Sequence, residues 1–246
     1  MKLKKLTTNR AFTLIELVLV IVVIGIIVAI ATQRMSQSVD TARHEQTKKE
    51  MDQLALAIAG NPAVYASGTR TDFGYVGDIG AMPDSLGALV ANPGSYDTWD
   101  GPYIGTGYNE EDFKKDAWGV EYLFTDTLIR STGSGSNIDK IIAVNSAALL
   151  SNTVEGYVVD ASHDVPGSDD TLSLTICLNY PNGLGGMTTD STHPGPDGNF
   201  SFTGIPIGAH TLDVVFEAED DTASYNVSVG PNSNTKLSIT FPADLW

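Results

Sequence analysis

The sequence predicts an α+β chain: a long N-terminal hydrophobic helix with a small antiparallel sheet, followed by an all-β sandwich. Three observations carry this. Phe12 to Ala31 is an almost unbroken apolar run. It passes into a stretch of helical periodicity with no Pro or Gly until Gly60. From about Val154 the chain becomes a series of short alternating runs between Gly, Pro, Asn and Asp clusters, the pattern of half-buried strands joined by turns.

The apolar run, FTLIELVLVIVVIGIIVAIA, has 20 residues. As a helix it spans roughly 30 Å, the thickness of a hydrocarbon core. Lys2, Lys4, Lys5 and Arg10 precede it, which keeps that end cytoplasmic and sends the rest outward. It is longer than the core of a secretory signal, and no A-x-A cleavage site follows. Met35, Val39 and Ala42, then Met51, Leu54 and Ile58, continue the helical spacing, so one helix is predicted over residues 12–59.

Only Thr13 and Glu16 are polar within the run. An unpaired carboxylate near the end of a span costs on the order of 2–3 kcal/mol. Glu16 is therefore either an interfacial residue reaching for water or the partner of a cation. Cleavage between Ala11 and Phe12 would create such a cation, a new α-amino group one helical turn from Glu16. The pairing can be made within one chain, or from Glu16 of one subunit to the amine of the next.

The net charge of the 246 residues is −16, and −20 without residues 1–11. A body this acidic repels nucleic acid and anionic lipid and stays soluble outside the cell. The single cysteine, Cys177, excludes an intrachain disulfide. It falls in a strand, on the face opposite a row formed by Leu172, Leu174, Ile176 and Leu178, and reads as structural. His44, His163, His193 and His210 stand in no metal-ligand spacing, and no G-x-S-x-G or P-loop occurs. An enzyme is not expected.

Residues 60–150 are rich in turn formers and aromatics. DSLGALV predicts a short helix capped by Asp84. DAWGVEYLF predicts a strand, and TDTLIRSTGSGSNIDKIIAV predicts two strands around a Gly/Ser tip. Glu110, Glu111 and Asp112 beside Lys114 and Lys115 read as a solvated loop. Over residues 151–246, six or seven strands predict an antiparallel sandwich with its own core. That region carries 13 acidic residues against Lys236 alone, and Asp164, Asp169 and Asp170 form an acidic loop that is a candidate for a cation.

The stretch NRAFTLIELVLVIVVIG resembles the class III signal of type IV pilins and pseudopilins. The resemblance implies that a prepilin peptidase cuts before Phe12 and methylates the new amine, and that the retained helix becomes the core of a filament. Ala11 stands where the family prefers glycine. Gln33 stands where a proline usually follows the span, so less kinking or melting of the helix within the filament is expected. WDGPYI resembles a turn, and DAWGVEYLF a strand, of the major pseudopilin of type II secretion, through Trp99, Pro102, Tyr103, Asp116, Trp118, Gly119 and Tyr122, with Ala117 replacing a proline. That family often binds calcium before its last strand. Here only Asn137 and Asp139 offer side-chain ligands beyond Ser and Thr, fewer oxygens than calcium ordinarily takes.

Val154, Gly156, Val158 and Asp160, then Asp197, Gly198, Phe200 and Phe202, then Gly204, Pro206 and Gly208 resemble the carboxypeptidase regulatory-like, transthyretin-like sandwich. His210 stands in that family's tyrosine position.

Together the resemblances imply a leader (1–11), a stem helix (12–59, with 12–31 as span and filament core), a pseudopilin-like domain (60–150) and the sandwich (151–246). The implied protein is a subunit of a homo-oligomeric type IV pilus-like or type II pseudopilus-like filament displaying an acidic sandwich. Its implied partners are the prepilin peptidase, an inner-membrane assembly platform and ATPase, minor pseudopilins and the membrane, with no nucleic acid. It would begin as a single-pass inner-membrane precursor and end in a periplasmic or extracellular filament. The other reading is a membrane-anchored binding protein that never polymerises, its sandwich holding a glycan or a protein partner.

Overall fold

The computed structural model describes residues 13–105, 112–218, 221–242 and 246. The chain forms two compact units, Met1–Gln46 and Thr47–Trp246. The first consists, in its described part, of the leading stretch of α1 (Leu14–Ala59). Leu14, Ile15 and the apolar residues through Ile30 are all exposed, and none of the 18-residue window of highest hydropathy (mean 3.3) is buried. None of the described residues covers it, and so apolar a run needs lipid or other helices around it. The helix passes Gln33 unbroken.

In the second unit the last turns of α1 bury Met51, Leu54, Ala57 and Ile58. The helix stops at Gly60, whose φ of 76° is open to glycine at little steric cost. The Arg70 guanidinium donates to the Ala59 carbonyl at 2.6 Å and to the Asp72 carbonyl at 2.8 Å. It thus places a cation at the negative end of the helix. Arg70 closes a small hairpin, β1 (Tyr65–Ala66) and β2 (Thr69–Arg70), before α2 (Gly74–Ile79).

DSLGALV forms a 3₁₀ turn, Leu86–Leu89. Its cap position is Ser85, not Asp84, and no side chain caps it. Leu86 and Leu89, three apart, both point inward, which suits a three-residue period better than an α-helix.

A three-stranded antiparallel meander follows: β3 (Leu123–Thr125), β4 (Leu128–Ser131) and β5 (Ile138–Ile141). Two expectations need correction. Only Leu123 and Phe124 of DAWGVEYLF are strand, because Asp116 folds the preceding residues into a turn. The last strand is IDKI, starting earlier than the IIAV that follows the Gly/Ser tip in the expected hairpin, in the register that pairs Arg130 with Asp139.

The short α3 (Ala147–Leu150) leads into seven strands: β6 (Asn152–Val159), β7 (Leu174–Pro181), β8 (Met187–Thr192), β9 (Asn199–Ile205), β10 (Gly208–Phe216), β11 (Asp221–Val229) and β12 (Asn234–Thr240). They form two sheets, β11-β10-β7-β8 and β12-β6-β9. Val154, Val158, Leu174, Ile176, Leu178, Leu212, Val214, Ile239 and Phe241 fill the space between them. The sandwich is not wholly antiparallel: β12 runs parallel to β6. Leu172 does not join the inward row. It sits in a 3₁₀ turn, Thr171–Ser173, and is 74% exposed.

The regions before and after Ser151 share a core. Ile207, from the tight β9–β10 connection, is fully buried among Met51, Tyr75, Ile79 and Leu149 and their neighbours. Its N–H donates to the Leu149 carbonyl at 2.8 Å. Gly183 N–H reaches the Ile79 carbonyl at 2.8 Å, and Asn232 N–H reaches the Ala148 carbonyl at 2.7 Å.

Candidate functional site

The start of α1 is where sequence chemistry and geometry meet. Glu16 Oε2 accepts the Thr13 N–H and the Thr13 hydroxyl, both at 2.9 Å. The Thr13 hydroxyl oxygen accepts the Glu16 N–H at 3.3 Å, and the first helical bond runs from Leu17 N–H to the Thr13 carbonyl at 3.2 Å. This is a capping box, in which two otherwise orphaned amides at a helix start are satisfied reciprocally. Its signal, T-x-x-E, is present in the sequence at Thr13–Glu16. Glu16 thus has a local partner before any cleavage. Ala11 and Phe12, the residues flanking the expected cut, lie outside the described residues.

Residues 6–32 match the family model of the prokaryotic N-terminal methylation motif. The matched segment covers the expected cut, the capping box and the apolar span, and it implies processing by a prepilin peptidase in a pilus or secretion-system setting. An exposed apolar helix behind such a motif fits a membrane-anchored precursor. No curated protein matches the chain significantly.

Among solved structures, the chain is similar to the dioxygenase domain of a dioxygenase and carbohydrate-binding fusion from Streptomyces sp. SirexAA-E. Identity is 11%, over 42% of this chain and 86% of that one, with a TM-score of 0.29. It is also similar to a candidate carbohydrate-binding protein from Pseudomonas aeruginosa (14%, 38% and 90%, 0.24). A third similar structure is the major pilin subunit of Bacillus cereus (14%, 47% and 36%, 0.25).

Behind the methylation motif, the residues that resemble the pseudopilin turn and strand make specific contacts. Trp99 Nε1 donates to the Ala88 carbonyl at 3.0 Å, and the Tyr103 hydroxyl donates to Asp78 at 2.7 Å. The rings of Trp99 and Tyr103 meet edge to face at 5.8 Å, and those of Tyr75 and Tyr103 at 5.7 Å. The Gly101–Pro102 bond between them is cis. Burial pushes the Tyr103 hydroxyl pKa up, and Asp78 adds to it.

Asp116 is buried, yet its carboxylate accepts four hydrogen bonds. Trp118 and Val120 N–H donate to one oxygen, each at 3.0 Å. The Ser131 hydroxyl at 2.6 Å and Gly133 N–H at 3.0 Å donate to the other. Burial pushes its pKa up, but the bonds from Ser131, Val120, Gly133 and Trp118 outweigh that and hold it below the usual carboxylate range. Tyr122, at the end of this turn, donates to Glu50 at 3.0 Å.

Of the two calcium candidates, Asp139 is already paired with a cation. Asp139 lies on β5, and both its oxygens accept from the Arg130 guanidinium on β4, at 2.6 and 2.7 Å. Asn137 lies just before that strand. Among the described residues, Asp164, Asp169 and Asp170 included, no group of three or more His, Cys, Asp or Glu side chains is placed to hold a metal ion. Glu110 and Glu111 lie outside the described residues.

Of the nucleophile and base candidates, Cys177 is half-buried. Burial, then Asp213 and Glu217, push its thiol pKa up, the opposite of an activated nucleophile. His193 Nδ1 sits 2.7 Å from the Leu174 carbonyl.

His210 is buried, with Nε2 2.8 Å from the Pro206 carbonyl. That carbonyl can only accept, so Nε2 carries the proton. Burial pushes the His210 pKa below its ordinary value, against the smaller opposing effect of Pro206. The native state therefore binds this proton less readily than the unfolded chain. Stability is full above about pH 6.5 and falls as pH drops below it. Urea unfolding of the detergent-solubilised chain between pH 7.5 and 5 should show this loss. His210→Phe should lower stability throughout but flatten the slope, by up to about 1.4 kcal/mol per pH unit.

Proposed function

We propose that this chain is a structural subunit of a type IV pilus-like or type II pseudopilus-like filament. In this reading a prepilin peptidase cuts between Ala11 and Phe12. The precursor leaves the inner membrane through an assembly platform driven by an ATPase, and the stem helices pack as the filament core. The observation that carries the reading is the pairing of the methylation motif over residues 6–32 with an apolar helix whose span none of the described residues buries. A helix made to be covered in lipid can be covered equally well by copies of itself. The acidic sandwich then coats the outside. No catalytic role is assigned.

Two measurements test this. Mass spectrometry of the mature N-terminus should find methylated phenylalanine from Phe12; an intact Met1, or a chain beginning after residue 31, would refute the processing. Shearing cells and imaging the released material should show filaments containing this chain. Release of monomer only would favour the non-polymerising anchor.

A further inference from the structure

The outer face of the β12-β6-β9 sheet carries a shallow groove of about 590 Å³, within the size range of small-ligand sites. Val154 and Val158 face the core, so by strand alternation Glu155 and Tyr157 face out. The pairing register builds two rows across the sheet. One is Lys236–Glu155–Ser201 and the other Ser238–Tyr157–Asn199. Tyr157 is 44% exposed, and its hydroxyl oxygen accepts the Ser238 hydroxyl at 2.7 Å. The ring is thereby held in place and offers mainly its apolar face. Beside it, Lys236 Nζ and a Glu155 carboxylate oxygen lie 3.3 Å apart, a donor and an acceptor side by side. Lys236 is the only Lys or Arg in 151–246, and it stands in this groove.

We propose that this groove binds a neutral oligosaccharide chain, one sugar ring stacking on Tyr157 while its hydroxyls bridge Glu155, Lys236 and Ser201. A sugar presents a C–H face and adjacent hydroxyls that both donate and accept, which matches a fixed aromatic face beside a paired ammonium and carboxylate. An extended peptide is a poorer fit. Strand addition takes place at a sheet edge, here β9 or β12, whereas the groove lies on the face over β6, whose main-chain groups are spent on its two neighbours. A polyanion is disfavoured by the acidic surroundings, since Glu155 balances the single lysine. The open shape of the groove suits a chain running through it. The proposal is independent of filament assembly.

The test is isothermal titration of the detergent-solubilised full chain with cellohexaose, xylohexaose and chitohexaose, and with polygalacturonate as the anionic control. At least one neutral hexamer should bind and polygalacturonate should not. Tyr157→Ala should weaken binding about tenfold or more and Lys236→Met several-fold, whereas Tyr157→Phe, which keeps the ring, should stay within about threefold. Thermal melts of each variant separate lost binding from lost folding, and Lys236→Met, being exposed, keeps the question open to test if Tyr157→Ala unfolds. Absence of binding by all three neutral hexamers, preference for polygalacturonate, or unchanged affinity in folded Tyr157→Ala would overturn the proposal.

Discussion

Glu16→Gln should be cut normally before Phe12 yet assemble roughly 30- to 150-fold less well than the parent chain. The range follows from leaving one amine unpaired in the apolar core of the proposed filament, at about 2–3 kcal/mol per subunit. The substitution is chosen because of the capping box. A glutamine oxygen can still accept the Thr13 N–H, so the helix start survives, and only the charge is lost. Glu16→Ala removes both, and Thr13→Ala removes the hydroxyl half of the cap while keeping the charge, at about 1 kcal/mol of local helix stability. Quantifying the chain in sheared filaments against total processed chain separates the two roles. If Glu16→Gln assembles normally while Glu16→Ala fails, Glu16 serves as a cap, and the pairing with the Phe12 amine is wrong.

The second large effect is expected at Asp116. Asp116→Ala strands three main-chain amides and the Ser131 hydroxyl in the neighbourhood of a buried turn. At about 1–3 kcal/mol for each buried donor left unmet, with partial relaxation, the loss should reach about 3–5 kcal/mol. That is a large share of the stability of any domain. Asp116→Asn should cost less, since one oxygen remains to accept the Trp118 and Val120 amides. Because the native carboxyl is more acidic than its unfolded counterpart, its contribution is present above about pH 4 and lost as pH falls through the native value. Urea midpoints at pH 7 and pH 3 should therefore differ less for Asp116→Asn than for the parent. An unchanged midpoint in Asp116→Ala would show that water satisfies the turn.

Elements built on a repeating burial pattern were legible in advance. The span and stem of α1 follow from hydropathy and a period of 3.6, and the inward rows of β7, β9, β10, β11 and β12 follow from a period of 2. The strand β8 was not legible, because Met187–Thr192 is a polar edge strand with no buried row. Leu172 continued the alternation of β7 on paper, but the chain turns before Leu174. Asp116 stood among turn residues, and nothing local showed that its carboxylate would close Trp118, Val120 and Gly133 around itself. Gly133 and Ser131 are remote in sequence and arrive only through the β4–β5 hairpin. The capping box was readable, since a helix start involves residues three apart.

The sequence by itself determined a methylation motif, an apolar helix of membrane length and a strand-rich acidic C-terminal region, because each depends on neighbours along one chain and on the solvent they face. Tertiary structure alone decided that β12 runs parallel to β6, that Ile207 of the sandwich completes a core begun by Met51 and Ile58, and that Tyr157, Glu155 and Lys236 share one groove. Those outcomes depend on which distant strands pair and in what register. That choice is made by the burial of whole faces at once, and no single segment encodes it.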